Sequence, residues 1–97
     1  MKLALFAAIS LLPLAAVAQE FGSAAYCGQL AEIGSNAYRT KKDGYPMKEV
    51  LQKVGALLAD NPKKKQAAQG VVIAVYGDDS IVSAKQAYDI VYSACKR

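Results

Sequence analysis

From Ser23 to the C-terminus, apolar residues recur every three or four positions between short polar breaks, the pattern of successive amphipathic helices. The first stretch runs from about Ser23 to Lys42. Cys27, Leu30, Gly34 and Tyr38 share one face, and Tyr26, Ile33 and Ala37 widen it. Asp43-Gly44 closes it, with the glycine placed for a left-handed helix cap. The second stretch is the most regular. Pro46 stands at its first turn, and Met47, Val50, Leu51, Val54, Leu57 and Leu58 trace one face. Glu49 and Lys53 are spaced as an i,i+4 ion pair on the outer side. Asp60-Asn61-Pro62 ends this helix, and Asn61 is placed to cap the next, with Pro62 in its first turn.

The third stretch, Pro62 to Tyr76, reads two ways. Its lysine-rich start is helical in character, whereas Val71-Val72-Ile73-Ala74-Val75-Tyr76 has the composition of a buried strand. Helix is the better reading because no other segment offers a strand to pair with, and a lone strand leaves both backbone edges unsatisfied. Gly77 ends it. The fourth stretch starts at Asp79 or Ser80 and runs to the C-terminus, with Ala84, Tyr88, Val91 and Cys95 on one face and Ile81 and Ala87 beside it. The expected fold is all-α: a small four-helix bundle in which Cys27 and Cys95 both face the core.

Ahead of Ser23 the pattern changes. Lys2 gives a positive start, Leu3 to Val17 is an unbroken run of low polarity, and Ala16-Val17-Ala18 has the form of an A-x-A cleavage site. The run is shorter than the roughly 20 residues of a bilayer span. Residues 1–18 therefore read as a signal peptide, and residues 19–97 as one helical domain, periplasmic or secreted, with no membrane span. Cys27 is not a lipoprotein anchor, because it lies well beyond the A-x-A site and follows Tyr26, where a small residue is required.

Export changes the meaning of the cysteines. A domain this small buries only about 60% of its unfolded surface, so a staple is expected. With two cysteines the pairing Cys27–Cys95 is unique. It closes a loop of about 69 residues, which stabilises by roughly 4 kcal/mol in the chain-entropy treatment.

The chain's net charge of +4, one unit of which is Lys2, is too mild for a dedicated nucleic-acid binder. Three lysines, Lys63, Lys64 and Lys65, open the third helix, where the macrodipole favours negative charge. They either meet an anionic partner or form a solvated run. No aromatic interleaves them, so nucleic acid is not the expected partner. Six tyrosines, with no Trp, suit either a recognition surface or the margin of a small core, and Tyr45 beside Gly44 is the one expected to be most exposed.

Catalysis has little to work with. No His is present, so Ser80, Ser83 and Ser93 have no activating base, and a lysine-assisted serine would need Lys85 in a dry pocket. Asp78 and Asp79 read as a cap rather than an acid/base pair, and Gly22, Gly28 and Gly34 do not form a phosphate loop. No metal or other cofactor is expected once the cysteines pair. The chain is expected not to be an enzyme.

Taken whole, the mature segment resembles the small exported helical proteins of Gram-negative bacteria that carry a cysteine near each end. Within it, Gly44-Tyr45-Pro46-Met47, Leu57-Leu58, Asn61-Pro62 and Ala67-Ala68 to Val72 are similar to the central segment of immunity proteins against type VI secreted cell-wall amidases. That resemblance implies an all-helical periplasmic protein that binds and occludes a toxin, with a homodimer as a possible state. In layout the chain is also similar to the small periplasmic acid-stress chaperones, which would loosen near pH 2–3 where a rigid inhibitor would not. A third expectation is a structural component of an envelope assembly.

Overall fold

A computed structural model describes residues 23–97; the expected signal peptide lies outside the described residues. Four helices follow one another: α1 Ala24–Lys42, α2 Met47–Leu57, α3 Pro62–Gly77 and α4 Ala84–Lys96. Residues 71–76, the ambiguous run, are helical throughout.

Local capping sets most of the helix ends. Ser23 Oγ accepts from the Tyr26 backbone N–H at 3.1 Å and starts α1. At the other end Gly44 takes the left-handed conformation, φ 90°. There the Gly44 N–H donates to the Lys41 carbonyl and the Tyr45 N–H to the Thr40 carbonyl, the paired bonds of a Schellman motif. Pro46 is the N-cap of α2 and contributes no side-chain cap, since it has no polar atom to offer. Asn61 Oδ1 accepts from the Lys64 N–H at 3.2 Å, and Pro62 occupies the first turn of α3, as its sequence implied.

The start of α4 departs from expectation: its N-cap is Ser83, not Asp79 or Ser80. Two competing sets of bonds explain the shift. The Asp78 carboxylate accepts from both the N–H and the hydroxyl of Ser80, at 2.9 and 2.5 Å, which folds residues 78–80 into a local turn. Ser83 Oγ then accepts from the Gln86 N–H, while Gln86 Oε1 reaches back to the Val82 N–H at 2.8 Å. This reciprocal arrangement is close to a capping box and wins the helix start. Ile81, buried between the two, anchors the connection to the core.

α1 is the central element. It packs most extensively on α4 and next on α3, whereas α2 rests mainly on α3 and barely touches α1. Small residues let α1 and α4 approach closely: Ala31, Ala37 and Ala87 are fully or almost fully buried, and Gly34 sits against Val91 and Ala87. Tyr26, Leu30, Val72, Val75, Ile81 and Val91 complete the core. At the end of this pair the disulfide Cys27–Cys95 joins the first and last helices, with 5.4 Å between the Cα atoms and Cys27 wholly buried.

The apolar face of α2 is only partly covered. None of its residues is buried. Val50, Leu51, Val54 and Leu58 are half-buried against the core, Met47 is about one-third exposed, and Leu57 lies largely in solvent. Its apolar stripe is wider than the single neighbour, α3, can cover.

Candidate functional site

The uncovered part of α2 forms one wall of an open trough, and α1 forms the other. Two adjoining cavities of about 420 and 310 Å³ make it up, and both are lined by Ile33, Asn36, Val54 and Leu57. Val72 of α3 and Ala37 of α1 lie against the larger one, and Gln29, Leu58 and Lys64 close the smaller. The lining is mostly apolar, yet Leu57 remains 73% exposed. Surface of this kind, apolar and concave with a polar rim, is where a partner's apolar side chains gain most from leaving water.

Hydrogen bonds at one end fix the trough's shape. Tyr76 Oη of α3 lies 2.8 Å from the Tyr45 carbonyl and 3.0 Å from Thr40 Oγ1, so its hydroxyl ties the α1–α2 turn down on α3. Along the trough, Gln69 Nε2 donates to the Leu51 carbonyl at 3.3 Å. A Cβ on Gly55 would meet that same Gln69 amide at 3.1 Å, so this glycine lets α2 settle onto α3.

The residues singled out from sequence fall in different places. Tyr45 lines the larger cavity and is 52% exposed, at the mouth of the trough. The three lysines do not converge. Lys63 points into solvent, Lys64 Nζ donates to Gln29 Oε1 at the trough's far end, and Lys65 lies beside Gly55 of α2. The trough's α1 wall, Ile33 and Asn36, went unnoticed in the sequence reading. The α2 stripe of six apolar residues is the nearest sequence signal, but it does not say which of them stay uncovered.

Glu49 and Lys53 lie on the outer side of α2 as expected, but the pairing expected of them is not made. Both are exposed and line the larger cavity. Among the described residues the ion pairs are Lys41–Asp79 at 3.1 Å and Lys85–Asp89 at 2.8 Å.

Titratable chemistry is sparse. The Ser80 hydroxyl and backbone N–H hold the exposed Asp78 carboxyl below its ordinary value, with a smaller contribution from Lys41. Asp89 raises the exposed Lys85 ammonium. No charged side chain is buried among the described residues. No group of three or more His, Cys, Asp or Glu side chains there is arranged to hold a metal ion, and no helix there is long and apolar enough to cross a membrane. A second, polar hollow of about 380 Å³ lies between Glu32, Ser35, Asn36, Arg39 and Tyr88. It holds no buried charge that would activate a substrate. No protein-family model, curated protein or solved structure matches the chain.

Proposed function

We propose that this chain works outside the cytoplasm as a non-enzymatic binding protein, taking an apolar edge of another protein into the trough between α1 and α2. The observation that carries the reading is the trough itself: Leu57, Val54 and Ile33 line a concave surface that the chain's own helices leave uncovered. The disulfide supports an oxidising compartment. Within this reading the specific role is that of an immunity or inhibitor protein, which blocks a secreted toxin by occupying its surface.

The acid-stress chaperone is less well supported. Such a protein loosens when carboxylates that hold its fold protonate, and here every described carboxylate is exposed, including the bonded Asp78, Asp79 and Asp89.

The test is capture from the envelope of the organism that encodes the chain, with wild type and with Val54→Glu, which places a charge in the trough wall. One stoichiometric partner lost with Val54→Glu, and a cell-wall hydrolase whose activity the wild type alone blocks, is the expected outcome. A partner retained by the variant, or a broad set of clients appearing only near pH 3, would overturn it.

A further inference from the structure

We propose that the α2 rim of the trough is a self-association surface, on which a second copy of this chain lays its own α2 antiparallel about a two-fold axis that passes between Glu49 and Lys53. Tyr45, Glu49, Lys53 and Leu57 follow one another at four-residue steps, and all four are exposed and line the same cavity. Glu49, Lys53 and Leu57 form a single ridge on α2, and Tyr45, in the turn before the Pro46 N-cap, lies at its N-terminal end. Two such ridges packed together cross at about 50°, which brings the ridges alongside one another.

The order along the ridge is apolar, acidic, basic, apolar. Read backwards it is apolar, basic, acidic, apolar. An antiparallel copy therefore sets Lys53 beside Glu49 of its partner and Leu57 beside Tyr45, and the two-fold axis makes each pairing twice. A parallel copy would set Glu49 on Glu49 and Lys53 on Lys53.

The charges are free for this role. Glu49 and Lys53 have the orientation that favours an i,i+4 pair within the helix, and Lys85–Asp89 forms one at that spacing, yet Glu49 and Lys53 do not pair. Leu57 and Tyr45 at the ridge's ends supply exposed apolar area to bury. α2 has 11 residues, about 16 Å of helix, so the contact falls at the small, transient end of the range, far from the roughly 2,000 Å² or more of a permanent interface. The dimer is accordingly reversible, and salt weakens it because its charges lie at the surface. A copy seated here covers the trough from the α2 side, so self-association and partner capture exclude one another. The two proposals stand apart, since this one is tested with the purified chain alone.

Sedimentation equilibrium of the oxidised chain at low ionic strength, from micromolar to millimolar concentration, reads the association directly. Wild type is expected to dimerise. Glu49→Lys or Lys53→Glu alone is expected to raise the dissociation constant about tenfold or more, by placing like charges in both pairings. The double variant restores opposite charges and is expected to recover wild-type association. An equimolar mixture of the two single variants is expected to form a heterodimer, because each supplies the charge the other lacks. Far-UV circular dichroism checks that each surface variant keeps its helices. A monomer throughout, a dimer indifferent to all the variants, or single variants that fail to associate on mixing would each overturn the proposal.

Discussion

Gly34 of α1 lies directly beneath Val91 of α4: a Cβ on Gly34 would stand 2.7 Å from Val91 Cγ2. Val91 is β-branched and has little rotamer freedom with which to retreat. Gly34→Ala is therefore expected to destabilise, with an overpacking cost of about 1–3 kcal/mol exceeding the roughly 1 kcal/mol gained from helix propensity. Gly70, in the interior of α3, has nothing within 4 Å of where its Cβ would be. Gly70→Ala is expected to stabilise by about 0.5–1 kcal/mol. Urea denaturation of both variants checks the contrast, which fails if the two changes have the same sign.

The disulfide links residues 68 apart in sequence. Cys95→Ser is expected to remove about 4 kcal/mol, and each kcal/mol is worth about 4–8 °C in Tm for a domain of this size. Thermal melts with and without reductant measure it. The reductant should shift the wild type by a similar amount and leave the variant unmoved.

The pH response should be shallow. Asp78 is held below its ordinary value of 3.8, so its contribution is present above that value and is lost as pH falls through the lowered one. Lys85 is raised above 10.5, so its contribution is present below 10.5 and is lost only at still higher pH. Both groups lie at the surface, and the core carries no buried charge. Far-UV circular dichroism at pH 3 should show the neutral-pH helix content, with no gain in dye binding to exposed apolar surface. Loss of near-UV signal with dye binding at pH 3 would restore the chaperone reading.

Lys63 stands in the first turn of α3 and faces solvent, where the helix dipole opposes its charge. Lys63→Glu is expected to raise stability by about 0.3–1 kcal/mol at low salt, with the gain shrinking as salt is added. An unchanged denaturation midpoint at low salt would mean that the dipole is fully screened at this position.

Helix identities were legible because each break carries its own chemistry: Gly44 after α1, Asn61-Pro62 before α3 and Gly77 at its end. The disulfide was legible because two cysteines leave one pairing. The start of α4 was misplaced because Asp78, Ser80 and Ser83 are all capable caps, and only the bonds made by Gln86 and by buried Ile81 decide among them. The trough was not legible. Periodicity says which face of α2 is apolar, but not that α3 alone covers it, a matter of how α1 and α4 draw together through Ala31, Gly34 and Ala87. The lysine cluster shows the same limit. Neighbours in sequence, Lys63, Lys64 and Lys65 diverge because successive helical positions point about 100° apart.

Because α2 buries none of its residues, the molecule has two tempos. The α1–α4 pair, sealed by small side chains and a covalent bond, opens only when the whole domain does. α2 needs to lose little more than the Tyr76 and Gln69 bonds and a half-buried stripe. Its amides should exchange with deuterium through a local opening, well before those of Leu30 or Val91. The element that walls the uncovered trough is thus also the one the fold holds least tightly.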